Sequence, residues 1–204
     1  MTRLRKRPRQ QRACATWHAI LDAAAQLFSE HGYAATSTNK VAERAGVSIG
    51  SLYQYFPNKD ALLLALAERH IGEAGEELAA TFAALDQQQP DLDNTLTRLI
   101  DVTVALHQRD PGMHRLLFDQ TPRTPEMVRR LRQLEQLLAA AVARQLIRLD
   151  VGGPNPLMRA LLLVQGVEAQ VHGAVLEPLP GGSVAAVVEE VRGMWLGALR
   201  AGPR

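Results

Sequence analysis

The chain has 204 residues and a formal net charge of +2, with 47% hydrophobic and 22% charged residues. That length allows one large domain or two small ones with a buried core. Cys14 is the only cysteine, which excludes an intramolecular disulfide and fits a reducing cytoplasm. Because no apolar run approaches the roughly 18 residues needed to span a bilayer, we expect a cytoplasmic protein with no membrane partner.

The charge is divided unevenly along the chain. Residues 1–59 contain nine Lys or Arg and three Asp or Glu, whereas residues 60–204 contain fourteen and eighteen. A basic N-terminal part on an acidic remainder is typical of a protein that binds a polyanion with one end. We expect residues 1–12, which hold six of the basic residues, to form a disordered basic arm. This arm either follows a DNA minor groove and neutralises phosphates, or only keeps the protein soluble.

The sequence predicts an all-α fold, because Ala, Leu, Glu, Gln and Arg dominate and runs of β-branched residues are nearly absent. Four helices are predicted in the first part of the chain, each marked by a capping or helix-ending residue. These residues are Thr16 and Gly32 for the first helix, Thr38 or Asn39 and Gly46 for the second, Ser48 and Pro57 for the third, and Asn58 for the start of the fourth.

Five further helices are predicted after a polar break at residues 87–91. They cover about residues 92–109, 112–120, 125–149, 156–177 and 183–200. Pro125 suits the first helical position after a Thr124 cap, and Ser183 can cap the last helix. The nine helices are expected to divide into two parts, at residues 13–60 and 61–204.

The second and third helices meet the internal demands of a helix-turn-helix unit. Ala42 is small where the two helices would cross, and Gly46 permits the positive φ of a tight turn. The positions that would share a core are apolar: Val41, Ala45, Val47 and Leu52. A purely structural helical hairpin is the alternative, although it would need only one or two of these features.

The same region carries a run of short motifs in a fixed order. They are Ile20-Leu21-Asp22-Ala23-Ala24, Leu27-Phe28, Gly32-Tyr33, Thr36-Ser37-Thr38, Val41-Ala42, Ala45-Gly46-Val47-Ser48 and Gly50-Ser51-Leu52-Tyr53-Gln54-Tyr55-Phe56-Pro57-Asn58-Lys59. Over residues 12–68 this order resembles the N-terminal domain of the TetR family of transcriptional regulators. The resemblance implies a three-helix DNA-binding head at residues 13–60. The fourth helix would join it to a divergent body at residues 61–204 that binds an effector and dimerises. Trp17 and His18 depart from this resemblance, since the family often has a basic or polar residue there.

The third helix is predicted to turn one face to the core and the other to DNA. Leu52 and Phe56 are four residues apart and point inward, which leaves the remaining positions for a groove. The expected DNA-binding residues are Thr38, Asn39, Lys40, Ser48, Ile49, Gly50, Ser51, Tyr53, Gln54, Tyr55 and Lys59. For Tyr53 and Tyr55, core packing is the alternative.

Different roles are expected within this set. Gln and Asn side chains suit adenine edges, and Ile49 could contact a thymine methyl group. Gly50 would let the backbone approach DNA. The resemblance implies phosphate contacts for Thr38, Tyr53 and Lys59. The ammonium of Lys59 also stands at a helix N-terminus, which favours an anion there.

The predicted body contains polar residues among Leu, Val and Ala, a pattern typical of a small-molecule pocket. The candidate effector residues are His107, His114, Phe118, Gln165, Glu168 and His172. Pro111 and Gly112 separate the first two histidines, and no Cys or carboxylate cluster completes a ligand set. We therefore predict no metal and no cofactor, and the identity of the effector stays open.

The last two predicted helices carry faces that suit a second copy of the chain. Gly166, Gln170 and Gly173 would form a flat strip on the eighth helix, and an apolar stripe follows on the ninth. That stripe consists of Val184, Val188, Val191, Trp195 and Leu199. A homodimer could place two recognition helices about 34 Å apart on a palindrome. The alternative is that both stripes are core within one chain.

Two other classes of function compete with this prediction. Residues 46–50 match the G-x-S-x-G motif of hydrolases, but that motif needs a preceding strand and residues 41–45 are predicted to be helical; we therefore expect no enzyme. A helical adaptor that binds protein would leave the groove-facing helix unexplained. The sequence favours a DNA-binding transcriptional regulator, in its simplest form a repressor that a small effector releases from operator DNA. Activation instead of repression stays open.

Overall fold

The computed structural model describes residues 10–178 and 181–201, and within them the chain forms nine α-helices and no strand. The helices are α1 Gln11–Ala35, α2 Thr38–Arg44, α3 Ile49–Tyr55, α4 Lys59–Gln88, α5 Leu92–Gln108, α6 Pro111–Gln120, α7 Pro125–Arg148, α8 Pro156–Leu176 and α9 Val184–Arg200. The all-α prediction is confirmed. Most of the predicted basic arm lies outside the described residues, but Gln11 and Arg12 already belong to α1.

Side-chain caps explain where several helices begin. Four predicted caps are confirmed, because their side-chain oxygens accept a hydrogen bond from the backbone N–H three residues later at 2.8 to 3.1 Å. They are Ser48, Asn58, Thr124 and Ser183. The prediction for α2 was wrong: Ser37 is the cap and accepts from the Lys40 N–H at 3.3 Å. Thr38 already has helical geometry, so its hydroxyl is available for another contact.

Two glycines adopt the left-handed backbone that most residues avoid. Gly46 has φ of 68° and forms the turn between α2 and α3, as predicted. Gly32 has φ of 77° and ψ of 164° and kinks α1, although helical residues continue after it to Ala35. The short last turn of α1 therefore changes direction immediately before the helix-turn-helix.

The first compact unit contains the chain up to Gly72 together with Gly112–Met127. Its core joins α1, α2 and α3 with the first two turns of α4. The largest fully buried side chains of this core are Ile20, Leu21, Val41, Leu52, Phe56, Leu62 and Leu63. Because the start of α4 is buried in the same core, this unit extends past the domain boundary expected at residue 60.

The second compact unit contains Glu73–Pro111 and the chain from Val128 onwards. Helices α5, α8 and α9 pack against one another in it. Its core includes Leu85, Leu96, Ile100, Leu163, Val167, Val171, Val188 and Val191. Among the residues that the structure describes, none of the helices is long and apolar enough to cross a membrane.

Candidate nucleic-acid interface and ligand site

Helix α3 divides its side chains between core and solvent as the sequence predicted. Leu52 and Phe56 are both 0% exposed, whereas Ile49 and Tyr53 are 38% and 43% exposed. Gly50 and Gln54 are exposed as well. The helix therefore presents a mixed polar and apolar surface while two large side chains anchor it from beneath. Such a surface matches the requirements of a helix that enters the major groove.

Hydroxyl groups of α2 and α3 meet at the edge of this surface. The Thr38 Oγ1 and Tyr53 Oη atoms lie 3.1 Å apart and form a hydrogen bond. Asn39 and Lys40 are exposed on the next positions of α2, and the Lys40 ammonium donates to the Ala35 carbonyl at 3.3 Å. Several hydrogen-bond donors, from the two hydroxyl groups and Lys40, therefore lie beside α3. These donors are suited to bind a DNA phosphate next to the groove.

Three predicted DNA contacts have other partners within the chain. Tyr55 is half-buried and packs against the core of the first unit, so the core-packing alternative fits it better than a base contact. Ser48 uses its side chain to cap α3, and Ser51 is half-buried and donates its backbone N–H to that cap.

Trp17 departs from the residue type that the family often has at this position. It is buried, and its ring lies 5.8 Å from that of Phe56, so it packs in the core of the first unit.

Lys59 holds the end of α1, a role that the sequence did not reveal. Its ammonium donates to the carbonyls of Tyr33 at 2.5 Å and Thr36 at 2.9 Å, with a third carbonyl at 3.4 Å. The same ammonium lies 4.2 Å from the centre of the Tyr33 ring. Burial and the hydrogen bond to Asp60 raise the pKa of Tyr33, which therefore stays neutral. Because three acceptors already surround the ammonium, the expected phosphate contact of Lys59 needs an exchange of partners.

An ion pair clamps α2 to α1 and was also missed from the sequence. The Arg44 guanidinium donates to both carboxylate oxygens of Glu30 at 3.1 and 3.0 Å, and to Gln26 at 3.3 Å. This hydrogen bonding lowers the pKa of Glu30. Arg44 is therefore engaged in positioning the helix-turn-helix, and its charge is largely neutralised there.

The six candidate effector residues are divided between the two compact units. His114 and Phe118 belong to the first unit, where His114 is hydrogen-bonded to His70 at 3.1 Å and Phe118 is exposed beside Arg123. Gln165 belongs to the second unit and donates to Glu135 at 2.8 Å. The structure brings the remaining three candidates together in the second unit. They are His107, Glu168 and His172.

This group of three consists of one buried and two accessible side chains. His107 is 2% exposed, and its Nε2 atom lies 3.4 Å from Oε1 of Glu168. The rings of His107 and His172 meet edge to face with centres 5.7 Å apart. Burial lowers the pKa of His107, but the hydrogen bond and charge of Glu168 and the Thr103 carbonyl outweigh burial and leave the pKa raised. Glu168 was missing from the ligand set considered along the sequence because it lies on a distant helix.

Most residues of the predicted dimer strips on α8 and α9 contact other residues of the same chain. Val188 and Val191 are buried in the core of the second unit, with Val184 and Trp195 packed against it. A Cβ atom at Gly166 would overlap the Trp195 indole, and that indole donates to Gln170 at 2.9 Å. These six residues therefore have contacts within their own chain, as in the alternative of an intrachain core, and their expected role at a dimer surface stays a prediction. Gly173 differs, since nothing lies within 4 Å of the Cβ it would carry.

The opposite faces of the same helices are exposed and partly apolar. Leu157, Met158 and Leu162 on α8 are 55%, 54% and 56% exposed, and Met194 on α9 is 50% exposed. Gly193 and Gly197 stand beside Met194, with nothing within 4 Å of the Cβ atoms they would carry. These six residues form what we call the outer α8–α9 face. Exposed large apolar side chains next to small residues are typical of a helix surface that a partner covers.

The segment that matches the hydrolase motif has no strand before it. Thr38–Arg44 is helix α2, and Gly46 turns directly into α3. A nucleophile elbow requires the reactive Ser on a turn between a strand and a helix. The hydroxyl of Ser48, the residue at the nucleophile position, caps α3 instead.

The fold and the exposed α3 surface define a helix-turn-helix protein with a separate helical body. Two family models match the chain: the model for bacterial regulatory proteins of the tetR family covers residues 20–66, and the model for the tetracycline-repressor-like C-terminal domain covers residues 91–199. The chain belongs to the TetR family of transcriptional regulators. The sequence-based resemblance is thereby confirmed and extends to the body, which sequence reasoning matched only by its number of helices.

Individual relatives are similar over part of their length. The HTH-type regulator YvkB of Bacillus subtilis is 30% identical over 115 residues, covering 55% of this chain and 61% of the relative. The repressor KstR of Rhodococcus jostii is 40% identical over 98 residues, covering 45% and 41%. The structure of FadR from Bacillus subtilis in complex with stearoyl-CoA matches with a TM-score of 0.64 and 20% identity, covering 88% of this chain and 97% of that one.

Proposed function

We propose that this protein is a dimeric repressor that binds a palindromic operator and leaves it when a small effector binds the second unit. The observation that carries the proposal is the division of α3 and its C-terminal cap: Leu52 and the cap residue Phe56 are buried, whereas Ile49, Tyr53 and Gln54 are exposed. The side chains that would contact the major groove are therefore different from those that pack in the core, so DNA binding does not require the core packing to change. The hydrogen-bonded pair of hydroxyl groups from Thr38 and Tyr53 supports phosphate binding beside α3.

Dimerisation is supported by the outer α8–α9 face. Leu157, Met158, Leu162 and Met194 present apolar surface that a second copy would cover, and Gly193 and Gly197 would let helices approach closely. Because the face lies on the last two helices, a two-fold axis there would relate two copies of the helix-turn-helix. Two such heads read a palindrome, whereas one head reads only half of it.

Effector binding is supported by the polar group inside the second unit. His107, Glu168 and His172 stand within a body that is otherwise rich in Leu, Val and Ala, which is how small-molecule sites are commonly built. The similar FadR structure is a complex with stearoyl-CoA. In our proposal, effector binding changes the separation of the two recognition helices, so that they no longer fit successive half-sites.

The experiment is an electrophoretic mobility scan of DNA upstream of the protein's own coding region. A retarded fragment that is footprinted as a palindrome, with a salt-dependent affinity, is the expected result. Transcription from that fragment should fall when the protein is added. Binding that requires no palindrome, or transcription that rises, would contradict the repressor proposal. No retention on any duplex would leave a protein-binding adaptor as the better function.

Gln54 allows the recognition surface itself to be tested. Gln54→Ala should weaken binding by about 1–3 kcal/mol at one operator position, because a bidentate amide contact to adenine would be lost. Binding to nonspecific duplex should be unchanged. Lys40→Ala is the matched control, since loss of a phosphate contact should weaken all duplexes about equally and reduce the salt slope by about one unit. Equal losses on every sequence for both variants would contradict the assigned roles.

A further inference from the structure

Three groups that prefer transition metals as partners converge on one point of the second unit. His107 comes from the end of α5, whereas Glu168 and His172 are four residues apart on α8 and so share one side of that helix. Their ligand atoms all lie within 4.8 Å of one another. In a tetrahedral zinc site, bond lengths near 2.1 Å put neighbouring ligand atoms roughly 3.4 Å apart. The 3.4 Å between His107 Nε2 and Glu168 Oε1 already matches that spacing.

The hydrogen bonding of His107 prepares it for a metal. Its Nδ1 atom lies 2.8 Å from the Thr103 carbonyl, which can only accept, so Nδ1 carries the proton in the neutral ring. That tautomer leaves the lone pair of Nε2 on the side of Glu168 and His172. Histidines that bind metals usually have this second hydrogen bond, because it fixes the ring and increases its basicity.

We propose that His107, Glu168 and His172 bind one divalent transition-metal ion of the zinc class. Two imidazoles and one carboxylate form the ligand set of many zinc sites, whereas magnesium and calcium prefer oxygen ligands alone. Glu168 is 57% exposed and His172 is half-buried, so water or a ligand atom of an effector can reach the bound ion.

This proposal deepens the proposed function and rests on it for the regulatory consequence, since it names the chemistry of the effector site. The effector is either the metal ion itself or a small molecule with a metal-binding oxygen, nitrogen or sulfur atom. Either kind of effector would be held by the same three side chains. Metal binding to the free protein and release of operator DNA are separate measurements, so the two proposals can fail independently.

The first measurement is titration of the untagged, chelator-treated full chain with Co²⁺ by visible absorption and with Zn²⁺ by calorimetry. We expect one ion per chain and the intense d–d bands of tetrahedral Co²⁺. Glu168→Gln and His172→Ala should each weaken binding at least tenfold. The matched control is His18→Ala, an exposed histidine in the first unit, which should bind as the wild type does. Circular dichroism of each variant checks that a loss of binding is not a loss of fold.

Several outcomes would overturn the metal site. They are the absence of a Co²⁺ spectrum, unchanged binding in both ligand variants, or equal loss in the His18 control. In those cases His107 and Glu168 form an ion pair without a metal. The second measurement adds Zn²⁺ to the operator complex and follows fluorescence anisotropy. Release in the wild type but not in His172→Ala supports the effector role, and unchanged anisotropy overturns that role. If the protein binds no operator under any condition, the proposed function is overturned. The metal titration still decides whether the metal site exists.

Discussion

At the scale of single residues, Gly50 determines how closely the backbone of α3 can approach another molecule. It is exposed in the first turn of the helix, and an added Cβ would meet only the Ser48 Oγ at 3.9 Å, an ordinary contact. Its φ is not in the left-handed region. The fold therefore does not require glycine at this position, and the proposed approach of the α3 backbone to DNA would supply a reason for it.

Gly50→Ala should separate stability from binding. Alanine favours a helix over glycine by up to about 1 kcal/mol, so the midpoint of thermal unfolding should stay the same or rise. Operator affinity should fall at least tenfold, because a methyl group would occupy the space of the approaching DNA. Thermal unfolding and fluorescence anisotropy measure the two effects. Wild-type affinity in this variant would show that the backbone does not come close to DNA there.

At the scale of elements, Lys59 joins the start of α4 to the last turn of α1. Replacing it with Met keeps the length of the side chain but leaves the Tyr33 and Thr36 carbonyls without their charged donor. Hydrogen bonds to charged groups contribute about 1.5–3 kcal/mol. Lys59→Met should therefore lower the free energy of unfolding by roughly that amount, as measured by urea denaturation.

Lys40→Met is the matched control for this element. Lys40 is exposed and donates to one carbonyl, at 3.3 Å, so its free energy of unfolding should change by less than about 0.5 kcal/mol. Both variants should weaken binding to duplex DNA, but only Lys59→Met should also destabilise the fold. If Lys59→Met is as stable as the wild type, the hydrogen bonds of Lys59 do not stabilise the fold, and the phosphate-binding role expected from the sequence would be the better assignment.

At the scale of the whole molecule, we propose that two copies of the chain associate through the outer α8–α9 face. Leu162→Glu would place a charge on an exposed apolar position of this face and should produce monomers at micromolar concentration, as measured by sedimentation velocity. The cost of desolvating the carboxylate opposes association. The same monomers should bind a palindromic operator at least tenfold more weakly, because only one half-site would be occupied at a time.

Leu137→Glu is the control for this surface. Leu137 is 70% exposed on α7 and lies outside the outer α8–α9 face, so its variant should remain a dimer with normal operator affinity. Monomers in both variants would indicate a different interface. A wild-type chain that sediments as a monomer and still binds the palindrome with full affinity would contradict dimerisation altogether.

The number of helices, most of their ends and the inward face of α3 followed from the sequence. These features depend on local physics: the period of the apolar residues, Ser48 and Asn58 as side-chain caps, and the positive φ that Gly46 supplies. Ser37 was missed as the cap of α2 because neighbouring Ser, Thr and Asn residues offer equivalent oxygens. Caps and turns involve residues a few positions apart, so the chain itself specifies them.

Only the tertiary structure decided what covers each helix face and which distant side chains meet. Periodicity identified an apolar stripe on α9, but it could not show that Val188 and Val191 face the chain's own core. It likewise gave no sign that Lys59 reaches the end of α1, or that His107 meets Glu168 across two helices. These contacts join residues far apart in sequence. They depend on how the helices pack, which the pattern along any single helix does not determine.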